Sequence, residues 1–372
     1  MFDQVVGATT ETLSDDERRV LREGCERALQ GNGIRTAADA LAELAALPDS
    51  DLTSDDYGDG GAVATLEAEV RELLDMPAAV FMPSGTMAQQ IALRIHADRR
   101  RGRVVAFHPT CHLELHEDKA YQRLHGLVGR PVGDPRELLT LADLEAVREP
   151  LAALLLELPQ REIGGRLPAW DDLVAQVAYV RERGAAVHLD GARLWESGPF
   201  YGRPLSEVAG LFDSVYVSFY KGLGGLAGSM LLGDDDVVAE ARLWRRRHGG
   251  TLFKLWPYAA AGLAGLRLRL PKMGAYVAHA QAIAAVLSGV EGVQVVPDPP
   301  QTPMMHLHLR TTTAAVTTGV RRMASEQRLW TWSGSSPTET PGTRRVELTI
   351  GDATLALTPA DVAAAVRALL PA

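Results

Sequence analysis

The alternation of apolar and polar residues predicts a series of short buried strands in the first part of the chain. The apolar runs are AAVFMP (78–83), VVAF (104–107), LAALLLEL (151–158), AAVHLD (185–190), SVYVSFY (214–220) and LAGSMLLG (226–233). Stretches with apolar residues at helical spacing lie between several of these runs, such as LEAEVRELL and DDLVAQVAYVRERG. Strands that alternate with helices predict a mostly parallel α/β sheet with helices on both faces.

The pattern changes after about residue 255. AAAGLAGLRLRL is typical of a long helix, and three later runs, GVQVVP, MMHLHLR and RRVELTI, predict strands. TPADVAAAVRALL predicts a closing helix capped by Thr358. We therefore predict three parts: an N-terminal arm (1–60), a large α/β domain (61–260) and a small α+β domain (261–372) that begins with a long linking helix.

The composition narrows the classes of protein to which the chain could belong. Hydrophobic residues make up 46% and charged residues 23% of the 372 residues, as in ordinary soluble globular proteins. A net charge of −9 argues against nucleic acid as a partner, and no apolar stretch approaches the roughly 18 residues that cross a membrane. Two cysteines are too few for a disulfide framework, and the acidic start is unlike a secretion signal, so we predict a cytoplasmic protein.

Lysine is scarce in this chain, and one lysine directly follows a predicted buried strand. Only four of the 38 basic residues are lysine, and Lys221 stands between SVYVSFY and a glycine-rich turn. An amine placed against apolar walls loses hydration, so its pKa falls and the neutral amine can form a Schiff base with a carbonyl compound. The alternative is a lysine that emerges into solvent or pairs with a carboxylate.

A second predicted strand, AAVHLD, ends in Asp190, and Arg193 follows in the next turn. Ligands of open α/β sheets bind at the carboxyl ends of the strands, where both Asp190 and Lys221 would lie. Pyridoxal phosphate requires such a pair, because a carboxylate keeps its pyridine nitrogen protonated while a lysine holds its aldehyde. Taken alone, Asp190 fits a helix cap or a turn residue better.

The segment FMPSGTMAQQ (81–90) predicts a strand, a turn of small residues and a helix. A hydroxyl and free backbone N–H groups of Ser84, Gly85 and Thr86 would converge where the helix dipole favours an anion, which predicts a phosphate site. An ordinary helix cap has the same appearance. The segment therefore supports a phosphate site only when it is considered together with Lys221 and Asp190.

Three segments resemble those of the threonine aldolase / β-eliminating lyase family: FMPSGTMAQQIAL, HLDGARLWES and SFYKGLGGLAGSMLLG. The resemblance implies fold type I, the aminotransferase-like fold, with a mostly parallel seven-stranded sheet and a small α+β C-terminal domain. It also implies pyridoxal 5′-phosphate as the cofactor, with Lys221 as the Schiff-base lysine and Asp190 at the pyridine nitrogen. On the same resemblance, Gly85 and Thr86 hold the phosphate, and Arg193 lies near the phenolic oxygen and the substrate.

Histidine recurs every four residues in HPTCHLELHE, at His108, His112 and His116. The spacing raises the question of a metal site, but the carboxylate that the usual zinc helix needs is not at its required position between two histidines, so we predict no metal. The segment resembles the family's Ala-His-hydrophobic stretch, which a glutamate follows, here Glu117. The resemblance implies that His112 stacks on the pyridine face of the cofactor, and His116 is assigned to packing or to the surface.

Glu157 and Gln160 lie in ELPQREIGG, where the family has a Glu-Asn-Thr-His segment. The resemblance implies that Glu157 is retained near the cofactor and that Gln160 replaces a histidine near the substrate's β-hydroxyl. Glutamine can donate and accept hydrogen bonds but has no usable pKa, so aldol cleavage would need another base, such as His112 or a water. This difference puts the reaction, and not the cofactor, in question.

Other site residues follow from the resemblance alone. In HGGTLFKLWPYAAAGL, Lys254 takes the place of an arginine that reaches a neighbouring subunit's phosphate. In RRVELTIGD, Arg345 is assigned to the substrate carboxylate, although Arg344 also qualifies because strand alternation does not decide between them. Fold type I sites form where two subunits meet, so we expect a homodimer or homotetramer in which Tyr57 reaches into the partner's site.

These observations predict a pyridoxal-phosphate-dependent lyase that cleaves the Cα–Cβ bond of a β-hydroxy amino acid to give glycine and an aldehyde. Gln160 and the N-terminal arm, which has no clear counterpart of the family's Arg-Ser-Asp-Thr segment, favour an alternative that keeps the cofactor: β-elimination, epimerisation or another biosynthetic conversion of a larger amino acid. A third hypothesis, a non-catalytic ligand-binding or assembly protein on the same scaffold, conflicts with the full set of cofactor residues.

Overall fold

The structure is a computed structural model that describes residues 12–371 of the chain. The described residues form two compact units: Ala37–Met273, and residues 12–36 together with 274–371. These boundaries differ from the predicted ones, because part of the predicted arm (1–60) belongs to each unit. Residues 1–11 of that arm lie outside the described residues.

The α-helices of the described chain are mostly short. In chain order they are α1 (Asp15–Glu23), α2 (Ala37–Ala45), α3 (Gly61–Leu73), α4 (Gly85–Arg99), α5 (His112–Leu115), α6 (Ala120–His125), α7 (Leu141–Glu145), α8 (Trp170–Glu182), α9 (Gly198–Tyr201), α10 (Leu205–Ala209), α11 (Asp235–Arg247), α12 (Trp256–Arg269), α13 (Met273–Leu287), α14 (Thr313–Gln327), α15 (Asp352–Leu355) and α16 (Pro359–Arg367). Single turns of 3₁₀-helix are formed by Asp49–Asp51, Arg161–Ile163, Leu194–Glu196 and Leu270–Lys272. The predicted linking helix corresponds to α12 and lies in the larger unit.

Nine of the described strands coincide with the apolar runs of the sequence, and four were not predicted: Arg27–Ala28, Val128–Pro131, Leu329–Trp330 and Ser336–Pro337. In chain order the strands are β1 (Arg27–Ala28), β2 (Ala78–Met82), β3 (Val104–Phe107), β4 (Val128–Pro131), β5 (Ala153–Glu157), β6 (Ala186–Gly191), β7 (Ser214–Ser218), β8 (Ser229–Gly233), β9 (Val293–Val296), β10 (Met304–Arg310), β11 (Leu329–Trp330), β12 (Ser336–Pro337) and β13 (Thr343–Thr349). No helix in this described part of the chain is long and apolar enough to span a bilayer.

The larger unit contains a seven-stranded sheet in the order β2-β8-β7-β6-β5-β3-β4. Strand β8 runs antiparallel to both of its neighbours, and the other strand pairs in this sheet are parallel. All residues of β6, β7 and β8 are buried. Their mainly apolar composition follows from this, since strands covered by helices on both faces have no solvent side. The predicted mostly parallel α/β sheet is confirmed.

Four segments reach the same edge of this sheet. The register pairs Glu157 at the end of β5 with Asp190 near the end of β6, and Asp190 with Tyr216 of β7. Lys221 follows the end of β7 by three residues. Strand β2 points in the same direction as β7, because both are antiparallel to β8, so Ser84 also stands at this edge. Parallel topology therefore gathers the candidate residues at one place.

Helix α4 begins at this edge and packs along the sheet. The Ser84 hydroxyl caps it by accepting a hydrogen bond from the backbone N–H of Met87 at 3.3 Å. Further along, Ala88, Ile91 and Ile95 are buried in one cluster with apolar residues of β2 and β8. This packing holds the first turn of α4 in place at the sheet edge.

The smaller unit is of the α+β type, as predicted. Its antiparallel sheet has the order β12-β13-β10-β9, and β1 pairs with β11 in a separate parallel pair. Helix α16 begins with the predicted cap, because the Thr358 hydroxyl accepts from the N–H of Asp361 at 3.2 Å and the Asp361 carboxylate accepts from the N–H of Thr358 at 2.9 Å.

Candidate active site

Asp190 is a buried carboxylate near the end of β6. Its Oδ2 accepts a hydrogen bond from Gln89 Nε2 of α4 at 2.5 Å, and its Oδ1 accepts one from the backbone N–H of Ala192 at 3.1 Å. Burial raises the pKa of Asp190, while the positive charge of Lys221 and the two hydrogen bonds act in the opposite direction. The carboxylate is therefore held in one orientation, with a cation nearby.

Lys221 is half-buried in the turn after β7. Burial lowers the pKa of its amine, the negative charge of Asp190 opposes this, and the positive charge of Arg193 lowers the pKa further. A lowered pKa leaves more of the amine neutral at physiological pH, which is the form that attacks a carbonyl group.

Glu157 ends β5 beside Asp190. Burial and the neighbouring Asp190 carboxylate raise the pKa of Glu157 to about 8. Gln160 Nε2 donates to Glu157 Oε2 at 3.0 Å and to Thr110 Oγ1 at 3.2 Å. Both amide protons of Gln160 are used in this way, so its Oε1 is the atom left to accept a hydrogen bond from a ligand.

The turn at Ser84, Gly85 and Thr86 lies close to β7. The backbone N–H groups in the first turn of a helix have no partner within the helix, and the dipole makes this end attractive to anions. Gly85 is buried, and an added Cβ there would collide with the hydroxyl of Tyr216. Only glycine allows the backbone to lie this close to the phenol.

Arg193 and Lys221 are linked through Glu196. Arg193 Nη1 forms an ion pair with Glu196 Oε1 at 3.1 Å, and the Glu196 side chain is fully buried. A Cβ on Gly222 would lie 2.5 Å from the same Oε1, so the turn that carries Lys221 packs directly on this carboxylate. Glu196 therefore fixes Arg193 next to the turn after β7.

The three histidines that recur every four residues have separate partners. His112 Nδ1 lies 3.0 Å from Oε1 of the buried Glu117, and the imidazole is half exposed. His116 Nε2 lies 3.0 Å from Glu162 Oε1, and His108 Nε2 bonds to backbone carbonyl oxygens. Glu117 leaves Nε2 of His112 available to a ligand.

Tyr57 and Lys254 belong to another part of the larger unit. Lys254 Nζ donates to the backbone oxygen of Asp55 and to Asp56 Oδ1, both at 2.6 Å. The Tyr57 ring packs edge-on against Phe253 with 5.2 Å between ring centroids, and the residue is 55% exposed. Among the described residues, neither side chain contacts Asp190 or Lys221.

Arg344 and Arg345 lie on β13 of the smaller unit and point to opposite faces. Arg344 pairs with Leu309 of β10, on the face that holds the buried apolar residues, and Arg345 pairs with His308 on the other face. The Arg344 guanidinium donates to the backbone oxygen of Ser335 at 2.6 Å. The register therefore distinguishes two arginines that strand alternation alone left equivalent.

Behind Asp190 lies a group of buried polar residues that was not predicted from the sequence: Gln89, His188, Ser214 and His96. His188 Nε2 lies 3.1 Å from Gln89 Oε1, and Ser214 Oγ lies 2.7 Å from both His188 Nδ1 and His96 Nε2. One signal was present, because His188 and Ser214 are polar residues within strands that are otherwise apolar. Buried polar groups of this kind need partners.

Comparison with known proteins adds to this geometry. A family model described as "Beta-eliminating lyase" matches residues 37–311. The low-specificity L-threonine aldolase 1 of Arabidopsis thaliana is 28% identical over 279 residues, covering 72% of this chain and 76% of the relative. The low specificity L-threonine aldolase of Escherichia coli (strain K12) is 30% identical over 244 residues, covering 62% of this chain and 71% of the relative. A Listeria monocytogenes EGD-E crystal structure, described as "a putative L-allo-threonine aldolase", has a TM-score of 0.89 at 39% identity, covering 95% of this chain and 98% of that chain.

The family match covers the whole seven-stranded sheet and the strand ends that carry Glu157, Asp190 and Lys221. The resemblance inferred from the sequence is thereby confirmed, together with the fold that it implied. This chain belongs to the β-eliminating lyase family and is an enzyme of the lyase class.

Proposed function

We propose that this enzyme is a pyridoxal-phosphate-dependent aldolase that cleaves the Cα–Cβ bond of a β-hydroxy amino acid to give glycine and an aldehyde. Relatives named L-threonine aldolases support this reaction. The observation that carries the proposal is the pair formed by the buried carboxylate of Asp190 and the half-buried amine of Lys221, whose opposite charges influence each other's pKa at one sheet edge.

The residues at this edge fit the chemistry of pyridoxal phosphate. Asp190 can accept a bond from a protonated ring nitrogen, because its carboxylate has more lone pairs than its two protein donors use. Lys221 supplies the amine that would form a Schiff base with the aldehyde of the cofactor. The turn of Ser84, Gly85 and Thr86 suits the phosphate, and the imidazole of His112 would cover the face of the ring.

When bound, pyridoxal phosphate supplies an electron-withdrawing ring that holds the electrons released as the Cα–Cβ bond breaks. Asp190 contributes a fixed negative charge that favours a proton on the ring nitrogen. With the cofactor bound, Lys221 Nζ, whose pKa is lowered, would be the group that delivers a proton to Cα of the product. Glu157 adds no second full charge near neutral pH, since its pKa is raised to about 8.

The β-hydroxyl of the substrate must lose its proton during aldol cleavage. Gln160 cannot accept this proton, but its Oε1 can accept a hydrogen bond from the hydroxyl and orient it, because Glu157 and Thr110 hold the amide nitrogen. We assign the base to His112, whose Nε2 is available, or to a water.

We propose that Arg345 binds the substrate carboxylate and that Arg193 lies near the cofactor and the substrate. A guanidinium forms two parallel bonds to a carboxylate, and lysine cannot reproduce them. Arg345→Lys should therefore raise KM about tenfold or more with a smaller effect on kcat. Arg344→Lys is the matched control, and equal KM values in the two variants would contradict the assignment.

The central experiment is incubation of the cofactor-supplied protein with L-threonine, L-allo-threonine and larger β-hydroxy amino acids. Mass spectrometry should detect glycine and the corresponding aldehyde in equal amounts. Lys221→Ala should lower the rate by about 10⁴-fold or more, since a lost covalent contact cannot be replaced by binding. Lys272→Ala, a change at an exposed lysine, should have no effect.

Reductive trapping tests the cofactor itself. The chain has four lysines, so borohydride reduction followed by peptide mapping has four outcomes besides no labelling. A pyridoxyl group on Lys221 supports the proposal. A group on Lys119, Lys254 or Lys272 instead, or none on folded protein supplied with cofactor, rejects it.

A second candidate reaction keeps the cofactor but breaks another bond. Gln160 offers no titratable group, and this observation favours β-elimination or another conversion of a larger amino acid. Elimination releases ammonia and a 2-keto acid, whereas aldol cleavage releases glycine and an aldehyde. The product panel therefore separates the two reactions directly.

We also propose that the protein is a homodimer or homotetramer. Tyr57 and Phe253 form an exposed aromatic pair, 55% and 59% exposed, and Leu252 beside them is 41% exposed. Covering this surface would place Tyr57 and Lys254 against a second copy, where Lys254 would reach the phosphate of the partner's site. Sedimentation of the cofactor-bound protein as a monomer would contradict this proposal. Tyr57→Ser with Phe253→Ser should weaken the assembly.

A cytoplasmic location is a further proposal. Cys25 and Cys111 are both free thiols, as expected where the compartment keeps thiols reduced. Cell fractionation with an antibody to the protein would test the location. Recovery in a secreted or membrane fraction would contradict it.

A further inference from the structure

Three elements of the larger unit place four polar side chains behind Asp190. Gln89 and His96 lie seven residues apart on α4, so they share the helix face that meets the sheet. His188 lies on β6 two residues before Asp190 and points to the same face, and Ser214 pairs with His188 from β7. None of the four is more than 2% exposed.

These side chains form one continuous series of hydrogen bonds that ends at Asp190. From the far end, His96 Nε2 lies 2.7 Å from Ser214 Oγ, and Ser214 Oγ lies 2.7 Å from His188 Nδ1. His188 Nε2 lies 3.1 Å from Gln89 Oε1, and Gln89 Nε2 lies 2.5 Å from Asp190 Oδ2. We call this series the Asp190 relay.

One arrangement of protons satisfies every bond of the relay when Asp190 is ionised. A carboxylate only accepts, so Gln89 donates through Nε2 and accepts through Oε1. His188 must then carry its proton on Nε2 and accept at Nδ1 from the Ser214 hydroxyl. Ser214, having donated its proton, accepts from Nε2–H of His96. Each donor therefore points toward Asp190.

Both histidines are in the neutral form that this arrangement needs. Burial and the charges of Arg100 and Arg99 hold the pKa of His96 at about 3. Burial and His96 lower the pKa of His188 to about 3, although a hydrogen bond to the backbone of Ser214 acts in the opposite direction. Among the described residues, Nδ1 of His96 is buried without a hydrogen-bond partner, as expected of the first member of the series. Neither histidine changes its charge near neutral pH.

We propose that the Asp190 relay is a positioning device, in which Gln89 holds the carboxylate ionised and oriented while His188, Ser214 and His96 fix the direction of the Gln89 amide. This inference rests on the proposed cofactor role of Asp190. Aligned hydrogen bonds polarise one another, so the whole series strengthens the final donation to Asp190. A reversed Gln89 amide would instead turn an oxygen toward the carboxylate and repel it.

The first test needs no variant. The chain has ten histidines, so ¹⁵N-histidine labelling of the full-length protein gives a simple NMR spectrum, recorded with and without bound cofactor. His96 and His188 should both carry their proton on Nε2 and should not titrate between about pH 6 and about pH 9. A proton on Nδ1 of His188, or titration of either ring in this range, overturns the proposal.

The second test breaks the relay far from the carboxylate. Ser214→Ala removes the link between the two histidines, and Ser229→Ala is the matched control, since Ser229 is equally buried but donates weakly to the Met82 carbonyl at 3.4 Å. Ser214→Ala should raise the dissociation constant of pyridoxal phosphate about threefold to tenfold and shift the pH dependence of its visible absorption band. Ser214→Thr, which keeps the hydroxyl, should restore both values, and Ser229→Ala should stay within about twofold of the wild type.

Equal effects of Ser214→Ala and Ser229→Ala on variants shown to be folded by circular dichroism would reduce the relay to a packing feature and overturn the proposal. Gln89→Leu, next to the carboxylate, should have a larger effect than Ser214→Ala, and the reverse order would also overturn it. If wild-type protein binds no pyridoxal phosphate, the proposed function fails, while the histidine tautomers still decide whether the relay exists.

Discussion

Asp190 and Glu157 stand side by side on neighbouring parallel strands, and burial raises the pKa of both, but the groups packed around them differ. Asp190 has the cation Lys221 nearby and a series of buried donors behind it, both of which oppose the effect of burial on its pKa. Glu157 has the negative Asp190 as its strongest charged neighbour, and its pKa rises to about 8. Two acids at equivalent strand ends are therefore distinguished by the groups packed around them and not by their own chemistry.

Removing the charge of Asp190 should have the largest effect on catalysis. Asp190→Asn keeps the size of the side chain but no longer holds a proton on the ring nitrogen of the cofactor, so kcat/KM should fall about 10³-fold or more. Steady-state kinetics at saturating cofactor check this value. A loss of less than about tenfold would show that the charge is not needed and that the two carboxyl groups are interchangeable.

Glu157 should make stability depend on pH. The folded protein keeps a proton on Glu157 up to about pH 8, whereas the unfolded chain loses it near the usual value of 4.5, so the free energy of unfolding should fall as pH rises between these values. At about 1.4 kcal/mol for each pH unit between the two pKa values, this group contributes a decline of up to about 5 kcal/mol across that range. Urea unfolding at several pH values should show that Glu157→Gln loses this decline.

The control for this measurement is Glu145→Gln, a change at an exposed carboxylate on α7. It should leave the decline of the wild type in place. Parallel stability curves for the wild type and Glu157→Gln would mean that folding does not raise the pKa of Glu157.

A change at Gln160, which bonds to Glu157, should have a smaller effect on activity than a change at Asp190. Gln160→His places a titratable group where the chain now has an amide, so aldehyde release should increase about threefold and acquire a new pH dependence between about pH 6 and about pH 7. Rates measured across this range provide the check. An unchanged pH profile would indicate that this position does not meet the substrate hydroxyl.

Replacement of Thr110 should have the smallest effect on the kinetic constants. Thr110→Val keeps the shape of the side chain but removes the oxygen that accepts from Gln160 at 3.2 Å, leaving Glu157 as the remaining partner of that amide nitrogen. We expect KM to rise about twofold with kcat nearly unchanged, because one neutral hydrogen bond positions the amide. A larger loss in kcat than in KM would give Thr110 a role beyond positioning Gln160.

Much of the fold could be predicted from the sequence. The runs LAALLLEL, AAVHLD and SVYVSFY contain β5, all of β6 except its last residue, and β7, because buried strands need apolar residues wherever they occur. The chemistry of Lys221 and Asp190 could be anticipated for a related reason, since a charged residue directly after such a run is unusual. The domain boundaries were less predictable, because residues 12–36 join a unit formed mainly by the C-terminal part of the chain.

The buried residues that form hydrogen bonds behind Asp190 could not be predicted from local sequence patterns. Gln89 is 101 residues from Asp190 in sequence, and His96 is 118 residues from Ser214. No periodic pattern links positions at such separations. The choice between Arg344 and Arg345 likewise depended on the pairing of β13 with β10.

The sequence by itself determined the strands, the cofactor chemistry that their ends suggest and the family to which the chain belongs, because these depend on local patterns of apolar residues and on short motifs. Only the tertiary structure decided which polar side chains meet behind those strand ends, and thus which groups oppose the effect of burial on the pKa of Asp190 and which add to it for Glu157. The reason is that burial and hydrogen bonding set a pKa, and both arise from residues brought together by the packing of α4 on the sheet.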